Sequence, residues 1–179
     1  YTVGAAYATY SVTVVPTPGA ITSPSSVCVG SSITVTDPMP GGTWIVTPST
    51  VVMLSGPATL TGVSAGTAAL TYTSGAGCIA TQMITVNATP SAISGTASVC
   101  AGGTTTLSAT PSGGMWVSTN PAVAVIGTAS GVASGVSYGT ATISYNLGTG
   151  CSSITIVTVA PASAAFPVIG GGAFCAGAD

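Results

Sequence analysis

The sequence of 179 residues contains no lysine, arginine or histidine, and its only acidic residues are Asp37 and Asp179. Charged residues make up 1% of the chain, whereas about 25% is usual in a soluble domain. Without cationic side chains the chain cannot neutralise nucleic-acid phosphates or hold an anion in an arginine fork. It also lacks the imidazoles and clustered carboxylates of most metal sites and acid–base pairs. We therefore expect no enzymatic activity, no metal, no cofactor and no nucleic-acid partner.

Long apolar runs are also missing. A membrane-spanning helix needs about 20 mostly apolar residues, but Ser, Thr, Gly or Pro interrupts every apolar run of this chain. We therefore expect no membrane insertion. The chain has no initiator methionine and no signal peptide, which indicates a mature piece or an internal window of a protein. Disorder is not expected either, because hydrophobic residues make up 46% of the chain and disordered chains are poor in them.

Hydroxyl groups supply the polarity that charges supply in other proteins. Ser and Thr make up about 30% of the residues, on the scale of the charged fraction of an ordinary domain. Short segments bounded by Gly or Pro alternate apolar and polar residues, which is typical of half-buried strands. They include 32–37 (SITVTD), 82–87 (QMITVN), 140–145 (TATISY) and 154–160 (ITIVTVA). No window has helix formers at a period of 3.6 residues, so the chain is predicted to be all-β.

The sequence repeats itself with a period of about 72 residues, and such a period indicates one folding unit per repeat. The repeated motifs are Cys28-Val29-Gly30, Cys100-Ala101-Gly102 and Cys175-Ala176-Gly177, together with Gly-Gly-x-Trp ending at Trp44 and Trp116. The register divides the chain into two complete units, 17–89 and 90–161. Residues 1–16 resemble the C-terminal strands of a preceding unit, and residues 162–179 resemble the first strand or strands of a following one.

Partial units at both ends indicate a longer array, or a polymer whose ends complete each other. In the second case residues 1–16 are donor strands that complete a neighbour's sandwich. Tyr10, Val12 and Val14 alternate along this segment and are the candidate donor residues.

Each complete unit contains about seven short strands. In the first unit we predict them near 19–27, 31–36, 43–47, 50–55, 58–62, 67–74 and 79–87. Several short strands at this spacing are typical of a β-sandwich. Trp44 and Trp116 fall on the third strand and are predicted to face the opposite sheet, so we assign them with Tyr72 and Tyr145 to the cores. A tryptophan exposed for stacking on a carbohydrate is the alternative.

Three stretches of the second unit carry a family resemblance, namely 100–107 (CAGGTTTL), 115–125 (MWVSTNPAVAV) and 135–145 (GVSYGTATISY). They resemble bacterial Ig-like domains of the group 2 type, with their Trp-Ser-Ser-Ser-Asn-Pro turn and Gly-Val-x-x-Gly-Thr-Ala-Thr stretch. The first unit departs from this pattern at Pro48-Ser49, where the family has Asn-Pro. The resemblance covers nearly the whole chain and implies tandem Ig-like sandwiches, found in adhesins and other large bacterial cell-surface proteins. Such domains are mostly spacers, stalks and surface-layer elements, and the fold does not fix a function.

The five cysteines occupy two positions in these repeats. Cys28, Cys100 and Cys175 precede the second strand, whereas Cys78 and Cys151 lie between the last two strands. Spacing suggests pairing within each unit, as Cys28–Cys78 and Cys100–Cys151. In an Ig sandwich, however, the two positions lie at opposite ends of a strand, over about 20 Å apart, and a disulfide needs Cα atoms within about 7 Å. A head-to-tail array therefore favours Cys28–Cys151 between domains, with within-unit pairs and free thiols as open alternatives.

Disulfides would place the protein outside the cytoplasm, and the resemblance implies a bacterial cell surface. The leading hypothesis is a non-enzymatic structural protein, a repeat subunit of an extracellular filament, stalk or fibre whose partner is another copy of itself. Sandwich stacking, strand complementation and disulfides would hold it together. The alternative is an adhesin or carbohydrate-binding module that contacts surface glycans through the loops after Trp44 or Trp116. An ice-binding role would need regular threonine ladders, and the Thr-x-Thr pairs are scattered.

Overall fold

The computed structural model describes residues 2–4, 6–7 and 9–162, and every regular element in these ranges is a β-strand. The prediction of an all-β chain is therefore confirmed, and within these ranges no helix is long and apolar enough to cross a membrane. In chain order the strands are β1 (Thr2–Val3), β2 (Ala6–Tyr7), β3 (Ser26–Cys28), β4 (Ser32–Thr34), β5 (Thr43–Thr47), β6 (Val52–Gly56), β7 (Thr59–Gly62), β8 (Gly66–Thr73), β9 (Ile79–Asn87), β10 (Ser94–Gly95), β11 (Ser98–Cys100), β12 (Thr104–Ser108), β13 (Met115–Ser118), β14 (Ala124–Ile126), β15 (Val132–Gly135), β16 (Gly139–Asn146) and β17 (Ser152–Ala160).

The chain divides into two compact units, Tyr1–Val86 and Asn87–Asp179. In the second unit one sheet has the strand order β11–β17–β16–β13 and the other has the order β10–β12–β15–β14. The last strand, β17, pairs antiparallel with β16 and parallel with β11. Two sheets of this order around a common core form an Ig-like sandwich.

The first unit repeats this design. Its larger sheet has the order β3–β9–β8–β5 and its smaller sheet has the order β4–β7–β6. A separate short hairpin of β1 and β2 pairs Thr2 with Tyr7. The predicted strand positions agree with the structure to within about two residues for the last five strands, because each is bounded by Gly, Pro or Ser in the sequence.

The core of each unit lies between its two sheets. It consists of the side chains that point inward at alternate positions along each strand. In β16 and β17 the buried residues are Ala141, Ile143, Tyr145, Val157 and Val159, which pack against residues of β12 and β15 such as Leu107 and Ala133. The equivalent residues of the first unit are Ala68, Leu70, Tyr72, Ile84, Val86 and Leu60. Each fully buried Val, Leu or Ile stabilises the fold by about 1.5–3 kcal/mol.

The first strand of each unit differs from the prediction. The sequence predicts one strand over 19–27, but the structure has an isolated bridge between Thr22 and Thr36 and then the short strand β3. Pro24 lies between the two pieces and cannot donate a ladder hydrogen bond. In the second unit the break falls after Gly95, whose φ is +115°, and the chain moves from the sheet of β12 to the sheet of β17.

Hydroxyl groups join neighbouring strands on the surface of both units. The Thr61 hydroxyl lies 2.8 Å from the hydroxyls of both Ser32 and Ser55, so one residue of β7 is linked to β4 and to β6. In the second unit the hydroxyls of Ser94 and Ser108 lie 2.8 Å apart across β10 and β12. These cross-strand pairs occupy positions where other proteins often place opposite charges.

Candidate functional site

An aromatic pair joins two neighbouring strands of the larger sheet in each unit. Trp116 of β13 lies opposite Tyr145 of β16, and the two ring centroids are 4.6 Å apart with the planes tilted by 49°. Trp44 and Tyr72 repeat the arrangement at 4.7 Å and 51°. Tilted rings at this distance attract each other beyond their burial alone. Trp116, Tyr145 and Tyr72 are buried, and Trp44 is partly buried against the core of its unit.

The tyrosine hydroxyls tie the preceding loops to the sheet. The Tyr145 hydroxyl donates to the carbonyl oxygen of Pro111 at 2.8 Å and accepts from the backbone N–H of Gly114 at 2.7 Å. Tyr72 makes the same two bonds, accepting from Gly42 and donating to Met39. Both hydrogen-bonding functions of each hydroxyl are therefore used within the fold, which assigns the aromatic pairs a structural role.

A surface groove of about 480 Å³ runs beside Trp116 in the second unit. Its wall combines the aromatic pair with Met115 and with the small polar residues Ser112 and Ser130. Trp116 is only 4% exposed, so its ring offers no open face on which a sugar could stack. The groove could accept hydrogen bonds from hydroxyl-rich ligands, but it contains no charged side chain.

The described cysteines are in two states. Cys28, Cys100 and Cys151 are disulfide-bonded, whereas Cys78 carries a free and partly exposed thiol. Cys175 lies outside the described residues. The within-unit pair Cys28–Cys78 is therefore absent from the structure.

The register of β17 separates Cys100 from Cys151. Cys100 lies opposite Ala160 at the end of β17, and Cys151 immediately precedes the first residue of the same strand. Nine residues of extended strand span about 30 Å, whereas bonded cysteines have Cα atoms within about 7 Å. These two cysteines therefore cannot be bonded to each other.

Asn87 contacts the hairpin that holds Cys151. Asn87 is the last residue of β9 and the first residue of the second compact unit. Its carbonyl oxygen lies 3.8 Å from Sγ of Cys151, and its side-chain amide donates to the carbonyl oxygen of Thr149 at 3.4 Å. This contact was not anticipated from the sequence, because Asn87 and Cys151 are distant along the chain.

The acidic side chain of Asp37 stabilises a turn. One carboxylate oxygen accepts the backbone N–H of Met39 at 2.8 Å, while the other is buried without a partner. Among the described residues no group of three or more His, Cys, Asp or Glu side chains could hold a metal ion.

The candidate donor residues lie on a segment without regular structure. Residues 9–20 form no strand, and the exposed fractions of Tyr10, Val12 and Val14 are 92%, 76% and 89%. Alternating apolar side chains are typical of a strand with one buried face. Here the three side chains are exposed instead, and the segment pairs with no strand among the described residues. The predicted following unit, residues 162–179, lies outside the described residues except for Ala162.

The outer faces of the larger sheets carry a second apolar feature that the sequence reasoning missed. Ile154 and Ile156 of β17 are exposed on the second unit, and Ile45, Ile79 and Met83 are exposed on the first. The sequence of residues 154–159 (ITIVTV) could have predicted this exposed apolar surface, because its apolar residues occupy both faces of one strand. Each sheet therefore presents isoleucine and threonine to solvent, with no charge among them.

No known protein family and no curated protein matches the sequence significantly. Among solved structures, the chain is similar to the C-terminal 282-residue fragment of intimin in complex with the intimin-binding domain of the translocated intimin receptor, with a TM-score of 0.55 and 17% identity. That match covers 80% of this chain and 64% of the intimin fragment, so the chain spans less than two thirds of it.

Two further similar structures have lower scores. They are domains 4 and 5 of the S-layer protein SbsC, with a TM-score of 0.35, 18% identity and coverage of 80% of this chain and 99% of that one, and the insect immune protein hemolin, with a TM-score of 0.35, 14% identity and coverage of 82% and 46%. At these identities the likeness to intimin shows the fold alone. The expected Ig-like sandwich fold is thereby confirmed.

Proposed function

We propose that the protein is a non-enzymatic structural subunit of an extracellular filament, stalk or surface fibre of a bacterial cell. The observation that carries the proposal is the segment 10–15. Its sequence repeats the last strand of the two complete sandwiches, but its apolar side chains are exposed. Because Val12 and Val14 are exposed, this segment can complete the sandwich of a neighbouring copy by strand addition. Tandem Ig-like units joined in this way form a continuous fibre.

The surface chemistry supports association between copies. The chain has no cationic side chain and a net charge of -2, so little electrostatic repulsion opposes contact between two copies. Near-zero charge also favours association at working pH. The exposed isoleucines of the outer sheet faces add apolar area that a partner of the same composition can cover.

We further propose that Cys28 and Cys151 form a disulfide that links the two Ig-like domains. Cys28 is disulfide-bonded, whereas Cys78, the other cysteine of its unit, is a free thiol, and this supports a partner outside that unit. The separation of Cys100 and Cys151 along β17 leaves Cys151 available for a partner outside its own strand pair.

Cyanogen bromide cleavage tests this disulfide, because the four methionines separate the cysteines. Cleavage after Met39, Met53, Met83 and Met115 places Cys28, Cys78 and Cys100 on three different fragments. A chymotrypsin cut after Phe174 then divides Cys151 from Cys175, whereas the Phe166–Pro167 bond resists this protease. We expect non-reducing mass spectrometry to find fragment 1–39 joined to the Cys151 peptide. Linkage of fragment 1–39 to fragment 54–83 or to fragment 84–115 would contradict the pairing.

Electron microscopy of the native material tests the proposed function. We expect filaments with an axial repeat that corresponds to tandem Ig-like units. A monodisperse monomer at high concentration would contradict the structural role. The second candidate is an adhesin or carbohydrate-binding module, which the groove beside Trp116, with Ser112 and Ser130 in its wall, favours. Saturable glycan binding by a protein that forms no filaments would support that candidate instead.

A further inference from the structure

The Asp37–Pro38 peptide bond is anchored to the first sandwich on both sides. Immediately before it, Thr36 exchanges two backbone hydrogen bonds with Thr22, at 2.8 and 3.0 Å. After it, the carbonyl oxygen of Met39 accepts the hydroxyl of Tyr72, a residue of the core. The backbone around this bond is therefore fixed in one conformation while the unit is folded.

The carboxyl group of Asp37 is held beside the same bond. Its Oδ1 accepts the backbone N–H of Met39 at 2.8 Å. This hydrogen bond closes a ring of atoms that includes the Asp37–Pro38 bond, as in an Asx turn. The other oxygen, Oδ2, is buried and has no hydrogen-bond partner among the described residues. An unpartnered buried polar atom costs free energy, and the turn itself needs only Oδ1.

The chemistry of the two residues makes this peptide bond unlike any other in the chain. The nitrogen of Pro38 carries no hydrogen, and this tertiary amide nitrogen accepts a proton more readily than that of an ordinary peptide bond. An aspartic side chain can reach its own carbonyl carbon through a small ring. The only other acidic residue is the final residue, Asp179, so no second aspartyl bond exists.

We propose that the folded protein cleaves its own Asp37–Pro38 bond in acid. Oδ2 of the Asp37 carboxyl group attacks the carbonyl carbon of the same residue, and the bond from this carbon to the Pro38 nitrogen breaks. The proton that the carboxyl group gives up goes to that nitrogen. The product is a cyclic anhydride, which one water molecule opens to two carboxyl groups. The net reaction is the hydrolysis of one peptide bond.

The fold favours both steps. Positioning of the carboxyl group replaces a search among side-chain conformations, and a groove of about 260 Å³ that borders Asp37 gives water a route to the anhydride. The other titratable side chain in the wall of this groove is Tyr72, whose hydroxyl is a donor and so uncharged. Acid denaturation mostly reflects the protonation of paired carboxylates, and this chain has no cationic side chain to pair with one. We therefore expect the first unit to stay folded in dilute acid.

The cut leaves the two pieces joined. Cys28 is disulfide-bonded, and every other cysteine of the chain follows Pro38. The pairings of β3 with β9 and of β4 with β7 also connect the two pieces. Cleavage thus turns the first unit into a sandwich of two polypeptides. The new amine of Pro38 adds a cation to a chain whose side chains supply none. This self-cleavage is independent of the filament role.

Mass spectrometry of the full chain after incubation in dilute acid tests the proposal, with circular dichroism to confirm that the chain is folded. Without reduction we expect one species that is heavier than the intact chain by one water molecule. After reduction we expect the fragments 1–37 and 38–179. An intact chain after reduction, or cleavage at other bonds with the same rate, would overturn the proposal.

Two variants separate the attacking group from the leaving group. Asp37→Asn keeps an oxygen that accepts the Met39 N–H but has no carboxyl group, and we expect it to yield no fragment 1–37. Pro38→Ala keeps the carboxyl group but restores an ordinary peptide bond, and we expect cleavage to slow by about tenfold or more. Cleavage of Asp37→Asn at the rate of the unmodified chain would show that this carboxyl group is not the nucleophile.

A peptide of residues 34–42 measures what the fold contributes. It contains the same Asp37–Pro38 bond and the same Met39 N–H, but it lacks Thr22 and Tyr72. We expect the folded chain to be cleaved about tenfold faster than this peptide in the same acid. Equal rates, or faster cleavage of the peptide, would overturn the inference that the fold positions the carboxyl group for attack.

Discussion

Trp116→Ala is expected to destabilise the second unit by about 3–5 kcal/mol. Trp116 is almost fully buried, and its ring packs against Tyr145 and beside Gly131. Removing the ring leaves a cavity in a sheet that the surrounding strands cannot close, because Tyr145 is held by two hydrogen bonds to the preceding loop. A loss of this size is a large part of the stability of a small domain.

Hydrogen exchange with mass spectrometry measures this effect unit by unit. Peptides of β13, β16 and β17 should lose protection in Trp116→Ala. The matched control is Ile154→Ala, a substitution on β17 of the same sheet at a side chain that is 68% exposed. It should change stability by no more than about 0.5 kcal/mol. Equal effects of the two substitutions would contradict the assignment of Trp116 to the core.

Gly131→Ala is expected to destabilise the second unit by about 2–4 kcal/mol. Gly131 has a φ of +70°, and a Cβ there would lie 2.4 Å from the carbonyl oxygen of Leu107 and 3.2 Å from the Trp116 ring. Relief of this overlap requires movement of the backbone, and Leu107 is bonded to Gly131 through its own N–H at 2.9 Å. The substitution therefore combines backbone strain with a steric clash at the core.

Gly113→Ala is the control that measures the backbone strain without the steric clash. Gly113 has a φ of +94°, and a Cβ there would meet no atom within 4 Å. We expect this control to cost only about 1 kcal/mol from the left-handed backbone. Urea denaturation of the three proteins gives the comparison. A Gly113→Ala loss as large as that of Gly131→Ala would show that backbone strain alone explains both.

Much of the fold could be predicted from the sequence, because strand alternation and the repeat are local signals. The segment 43–47 becomes β5 and 79–87 becomes β9 with the predicted boundaries. Each is a run of β-branched and aromatic residues between turn residues. The tertiary partners of these strands then follow from the sandwich order, which places the last strand between its predecessor and the first.

The division of the first strand could not be predicted in the same way. An apolar–polar alternation indicates that a segment is extended but not which sheet it joins. Thr22 bonds to Thr36 of one sheet, and β3 then joins β9 of the other. Pro24 was visible in the sequence, but the consequence of its missing N–H depends on the strands that surround it.

The candidate site was less predictable than the fold. The hairpins at 74–78 and 147–151 share their turn and their cysteine, and no local feature of the sequence distinguishes a free thiol from a bonded one. Their difference arises from long-range surroundings, as the contact of Asn87 with Cys151 illustrates. Likewise, Val14 and Val86 occupy equivalent places in the repeat, and only the structure reveals that one is exposed and the other buried.

The hydroxyl links between strands, such as Ser32–Thr61–Ser55, have a consequence for the environments in which the protein can persist. Dissolved ions weaken attractions between exposed charges, but a bond between two neutral hydroxyls has no charge for them to screen. Since the chain has no lysine, arginine or histidine, it has no side-chain ion pair to lose when salinity changes. The same sheets should therefore hold in fresh water and in brine.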